Sequence, residues 1–202
     1  MKDEMDILRE VSSIAAAHGS RALSEMLKKK INLTLPSLES LRPQQLTAKI
    51  ATDTPVVSVQ SRILSGISGS VVLILEEQSA FQLISICYTN HGKEKPAQFT
   101  EMGFSVIKEI GNVVIGSYAG ALSIFLKTPV VPSIPTLING PLAEIIHSVA
   151  SPYDEEDYVL LIEAFFEEVE RRIKGGLYFV LTPQAMREIQ GACKKILESL
   201  EQ

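Results

Sequence analysis

Between Ser105 and Lys127 the apolar side chains recur every three to four positions. Ile107, Ile110, Val114, Tyr118, Ala121 and Phe125 form one stripe, and Ser105, Glu109, Asn112, Gly116, Gly120 and Ser123 form the opposite one. This period predicts a long amphipathic helix that buries the first stripe and exposes the second. The same register appears earlier, from Asp6 to Lys29. An offset of 99 positions lays Asp6 on Ser105, Glu10 on Glu109, Ser13 on Asn112 and Ala17 on Gly116, and the run Ala22, Leu23, Ser24 on Ala121, Leu122, Ser123. The match continues without a gap to Pro36 on Pro135 and Leu38 on Leu137, so the chain reads as two copies of a unit of about 100 residues.

Beyond the long helices the period changes to that of strands. Val56–Leu64 alternates in part, the turn Gly66–Gly69 follows, and Ser70–Leu75 is rich in β-formers, after which Ser79–Tyr88 returns to a helical pattern. The second copy repeats this order. Tyr158–Ile162 begins a strand, Gly175 and Gly176 are expected to turn the chain, Leu177–Leu181 returns, and Pro183 opens a helix running to Leu200. Residues Glu163–Arg172 are so rich in Glu and Arg that propensity favours a helix, whereas the repeat requires a hairpin arm; the repeat is preferred. Pro141–Ala150 reads as a short amphipathic helix with Leu142, Ile145, Ile146 and Val149 inward. The expected fold is α+β. Each of two pseudo-symmetric repeats has a long helix, antiparallel strands and a closing helix, and both share one sheet-and-helix core. The chain is then a single domain of residues 1–202, divided internally into 1–95 and 96–202, with the polar segment Asn90–Gln98 as the connection.

Composition narrows the function. The 202 residues carry a net charge of −5, and the only basic runs are Lys28–Lys30 and Arg171–Lys174, which argues against nucleic acid or an anionic membrane as partner. No apolar run approaches the length of a membrane span, and the charged start is unlike a secretory signal, so a cytoplasmic protein is expected. Cys87 and Cys193 are isolated and read as core residues. His18, His91 and His147 have no acidic or cysteine neighbours at metal-binding or triad spacing, so no metal site is expected.

Candidate chemistry therefore rests on Glu109 and Asn112, one turn apart above glycines that let another surface come close. A bare Glu-x-x-Asn spacing also occurs on solvated helix faces that do no chemistry. Here, however, it lies inside the phrase EIGN, with Gly116 one turn on and a duplicated frame around it. At these two helices the chain resembles the CheC, CheX and FliY family of phosphatases acting on phosphorylated CheY-type response regulators. Ser105, Glu109 and Asn112 match the family pattern of Asp or Ser, three residues, Glu, two residues and Asn. The duplication is similar to CheC rather than to single-site CheX, and the additional carboxy-terminal switch domain of FliY is not expected here.

The resemblance implies hydrolysis of a receiver's aspartyl phosphate in chemotaxis or related two-component signalling. Asn112 would order the attacking water, Glu109 would pair with the receiver's lysine, and Ser105 and Gly116 would border the substrate. It implies no cofactor in the chain itself, Mg2+ arriving with the receiver. In the first copy, Asp6 and Glu10 recur but Ser13 replaces the asparagine, so that copy is expected to be silent; its face either binds a receiver or is simply solvated. The rival reading is a binding module that sequesters a receiver or docks CheD, the receptor deamidase. A monomer is expected, because the second copy supplies the packing a single-copy relative obtains elsewhere.

Overall fold

The computed structural model describes residues 4–50, 52–92, 94, 99–154, 157–168 and 173–200. The first copy contributes α1 (Glu4–Leu27), β1 (Asn32–Leu41), α2 (Pro43–Ile50), β2 (Pro55–Ser65), β3 (Gly69–Glu76) and α3 (Glu77–Asn90). The second contributes α4 (Glu101–Leu126), β4 (Val131–Pro132), β5 (Thr136–Pro141), α5 (Leu142–Ala150), β6 (Val159–Glu168), β7 (Ile173–Leu181) and α6 (Pro183–Leu200). The order of elements is thus the same twice, with β1 split into β4 and β5. The 95/96 division itself lies outside the described residues.

The strands form one antiparallel sheet in the order β1-β6-β7-β3-β2-β4, with β5 also on β2. Each copy lends its first strand to the other copy's hairpin: β1 pairs with β6, while β4 and β5 pair with β2. The two hairpins meet where β3 runs against β7, Val72 opposite Tyr178. The halves cannot part without tearing three strand junctions.

Local details repeat as well. Lys28 and Lys127 end the long helices in the left-handed region, at φ 51° and 53°. One turn before each, a serine accepts from the chain as it leaves: Ile31 N to Ser24 Oγ at 3.1 Å and Val130 N to Ser123 Oγ at 2.8 Å. A proline then interrupts both first strands. The β1 ladder shifts register between Thr34 and Ser37, around Pro36, and the equivalent Pro135 falls in the gap between β4 and β5. Proline has no N–H to give a ladder, which accounts for both irregularities.

Both faces of the sheet are covered. Val57, Val59, Val71, Leu73, Leu75, Leu160, Ile162 and Phe179 pack beneath α1, α3, α4 and α6, and Val56, Val72, Ile74, Val159, Leu161 and Val180 pack beneath α2 and α5. That is why Val71–Leu75 is continuously apolar rather than alternating. Cys87 and Cys193 are buried in α3 and α6.

One expected turn is displaced. Gly175 and Gly176 lie inside β7, paired with β6 and β3. A Cβ on Gly175 would stand 2.1 Å from the Phe166 ring, and one on Gly176 2.5 Å from the Tyr178 ring. The glycines are there for aromatic neighbours, not for a bend. Glu163–Glu168 is a hairpin arm, as the repeat requires, and 169–172 lie outside the described residues.

Glu163 is buried opposite Tyr178 and bonds Lys49 Nζ at 2.8 Å, while Lys49 also meets Glu39 at 2.7 Å; Ser37 donates its hydroxyl to Glu163. Partial burial opposes the charge on Lys49, but the two carboxylates outweigh it and hold the amine above its ordinary value. Burial pushes the phenol of Tyr178 up to about 12, helped by Glu163, and that of Tyr153 to about 12, less the effect of Ser70. Tyr118 is raised too: burial dominates, and the neighbouring Ser12 hydroxyl offsets only part of it. For all four groups the protonated form is favoured in the folded chain. Their contribution is therefore complete below about pH 10 and declines as pH rises from there, through about 12 for Tyr178 and Tyr153 and higher for Tyr118. The thermal midpoint is expected to fall steeply over that interval, and Tyr178→Phe to make the fall shallower. A flat midpoint from pH 9 to 12 would contradict these environments.

Candidate functional site

Helix α4 is built as a rigid rod. Thr100 caps its start, its Oγ1 accepting from Gly103 N at 3.0 Å, and Glu101 in the first turn suits the positive end of the helix dipole. Ile107, Ile110, Val114, Ile115, Tyr118 and Leu122 are all at most 1 % exposed, so one side of the rod is locked into the core. The remaining register exposes Ser105, Glu109, Asn112, Gly116 and Gly120 along one line. Glu109 and Asn112 stand about 5–6 Å apart, as i and i+3 residues do on any helix. Neither side chain has a hydrogen bond or ion pair among the described residues. Both are presented to solvent with their bonding capacity unspent.

Around them the structure separates the expected neighbours. The hydroxyl of Ser105 donates to Glu101 O at 3.0 Å, within its own helix. Gly116 and Gly120 have open space where a Cβ would sit, so the room they leave belongs to the outside.

The residue that reasoning from the sequence passed over is Gly111, between the two. It is buried, and a Cβ there would lie 2.5 Å from Val59 Cγ1 and 2.6 Å from Val59 Cβ. Gly111 thus lets α4 settle directly on β2, with Glu109 and Asn112 turned away from the sheet. Its signal was visible: a glycine in register with the apolar stripe, not the polar one.

The first copy presents Asp6, Glu10, Ser13 and Ala17 along the same exposed line of α1. Asp6 lies 3.4 Å from Arg9, and His18 and Arg21 continue the surface, Arg21 pairing with Glu25 at 3.0 Å. The two long helices pack on each other: Gly19 of α1 meets Val114 of α4. The three histidines are exposed and far apart in sequence, and among the described residues no group of three or more His, Cys, Asp or Glu could hold a metal ion.

The expectation about membrane spans needs correcting. By length and composition α4 is apolar enough to cross a membrane. Its apolar stripe is nevertheless spent on α1 and the sheet.

No family model matches the chain. It is 32% identical over 136 residues to the CheY-P phosphatase CheC of Bacillus subtilis (strain 168), a match covering 66% of this chain and 65% of CheC. It is also 27% identical over 120 residues to the flagellar motor switch phosphatase FliY of the same organism, covering 59% of this chain and 31% of FliY. The chain is thus similar to members of the CheC, CheX and FliY family. It spans less than two thirds of the length of either relative.

The fold agrees. FliY of Thermotoga maritima superposes with a TM-score of 0.76 at 21% identity, over 95% of this chain and 96% of that one. CheX of Borrelia burgdorferi, solved in a complex with CheY, BeF3 and Mg2+, superposes at 0.57 and 17% identity, over 86% of this chain and 96% of that one. FliY and CheX both superpose on this architecture, so fold alone does not separate the two.

Proposed function

We propose that this chain accelerates hydrolysis of the aspartyl phosphate on a CheY-type receiver domain. The observation that carries the reading is the pair Glu109 and Asn112: one turn apart, exposed, unpaired among the described residues, and held on a helix whose other side is immobilised in the core. A relative named as a CheY-P phosphatase supports it.

The chemistry follows from the bond to be broken. Phosphoryl transfer to water passes through a loose transition state, so a correctly placed water matters more than a strong base. A carboxamide both donates and accepts, and it stays neutral next to the phosphoryl oxygens, where a second carboxylate would be repelled. Asn112 orients the water in line with the phosphorus. Glu109 pairs with the receiver's lysine, which anchors the substrate and sets the approach of Asn112. The divalent ion comes with the receiver and neutralises the charge that develops on the phosphoryl oxygens. Rigidity serves both steps, because a rod fixed in the core places both side chains without reorganisation.

The face of α1 has the carboxylate but not the carboxamide. The hydroxyl of Ser13 is shorter than an asparagine amide, and α1 is assigned no turnover. The chain acts as a monomer, its strand exchange being completed within one polypeptide.

The test is to mix the purified chain with a panel of phosphorylated receivers and time the loss of phosphate. Glu109→Lys is expected to weaken receiver binding and turnover together, each by about tenfold or more, since it reverses the charge that meets the receiver's lysine. Undiminished binding by that variant would remove Glu109 from the contact.

A further inference from the structure

Beside Glu109 lies a groove of about 270 Å³, lined by Met26 of α1, Cys87, Tyr88 and His91 at the end of α3, and Met102, Val106 and Glu109 of α4. Its walls are mostly apolar, and Met102 stands 55% exposed at its edge, one turn from Ser105. Glu109 therefore belongs to two surfaces at once: the line shared with Asn112, and the lip of this groove. Any body large enough to engage Glu109 and Asn112 together covers the groove mouth as well.

The internal repeat supplies a comparison within the same molecule. In the long helices the offset is 99, which places Glu10 at Glu109 and Asp3 at Met102. In the closing helices it is 106, bringing Cys87 onto Cys193 and therefore Tyr88 onto Lys194 and His91 onto Leu197. The counterpart positions thus hold an acid, Asp3 of the first copy, and a lysine, Lys194 of the second, where the groove has Met102 and Tyr88. The groove joins Met102, Val106 and Glu109 of the second copy to Met26, Cys87, Tyr88 and His91 of the first, and it lies on the helix that carries the asparagine.

We infer that this groove is the docking pocket for an aliphatic or aromatic side chain of the receiver, set next to the polar pair; the inference rests on the function proposed above. The pocket follows the usual plan of an interface anchor: one apolar side chain desolvated in a recess, with charged groups at its rim that set orientation. Two methionines suit a recess that must accommodate a partner's side chain, because the thioether chain adapts its shape. Met102, Tyr88 and Val106 then determine which receivers bind, and Asn112 determines what happens to them.

The test measures turnover against receiver concentration for the wild-type chain, Met102→Glu and Val106→Ala. Ile124→Glu serves as control, being 78% exposed on the same helix more than five turns away. Binding of a BeF3-activated receiver to each variant is measured in parallel, and unchanged thermal midpoints establish folding. The expected result is a KM about tenfold higher for Met102→Glu, and severalfold higher for Val106→Ala, with kcat within about twofold and Ile124→Glu like wild type. A KM and affinity for Met102→Glu equal to wild type, while wild type turns over normally, would overturn the groove alone and assign it to another occupant. Wild type that binds the activated receiver without speeding phosphate loss would overturn the phosphatase reading, while the affinities of the variants still decide the groove. Wild type that does neither overturns both.

Discussion

Replacing Asn112 with alanine is expected to lower the acceleration of receiver dephosphorylation by about a hundredfold, down to the receiver's own rate, with affinity for the receiver nearly unchanged. The side chain is exposed and unpaired among the described residues, so its removal breaks no internal contact. Alanine is also the better helix former, and the thermal midpoint should hold or rise slightly. The loss would then come from the water left without a partner to order it. Ser13→Ala, at the equivalent place in the first copy, is expected to leave turnover where it was. Phosphate release that is as fast with Asn112→Ala as with wild type would remove the mechanism, and equal losses at both positions would show that the first copy takes part. A variant that still binds but no longer turns over also separates an enzyme from a sequestering module, since sequestration needs only the contact.

Gly111→Ala is the second large effect, and it acts through the fold. The added Cβ would stand 2.6 Å from Val59 Cβ and 2.5 Å from its Cγ1. No rotamer of Val59 relieves a clash between two atoms fixed to backbones, so α4 must lift from β2. Overpacking of this kind costs about 1–3 kcal/mol and occasionally more, against about 1 kcal/mol that alanine returns in helix propensity. A net loss of about 1–2 kcal/mol is expected, or a midpoint lower by about 2–8 °C in a domain of this size. Turnover should fall as well, because Glu109 and Asn112 flank the lifted residue. Val59→Gly in the same chain removes that Cβ together with both methyls and makes room for the new one. The double variant should therefore be more stable than the sum of the single changes allows, and strictly additive losses would place the damage elsewhere.

These two glycine-bordered residues illustrate how far sequence reasoning reached. Asn112 and Glu109 could be placed on an exposed line because helical period alone assigns sides once the apolar stripe is known. Gly111 was in the same phrase and carried the packing, but its partner is Val59, 52 positions earlier and on a strand. A close approach between distant segments leaves no periodic mark. Gly175 and Gly176 show the same limit from the other direction. Paired glycines are read as a turn because turns most often need them. Here they make way for Phe166 and Tyr178 across and along the sheet.

Periodicity was enough for the long helices, the hairpins, the inward side of Pro141–Ala150 and the duplication, since each is written in spacings of a few residues or in a constant offset. It was also enough to single out one face bearing a carboxylate and a carboxamide. Tertiary structure decided the rest. That each copy gives its first strand to the other's hairpin, that α4 rests on β2 through a missing Cβ, and that an apolar groove opens next to Glu109 all depend on residues from opposite ends of the chain. Such contacts are set by the shape of the assembled core, and local pattern carries no record of them.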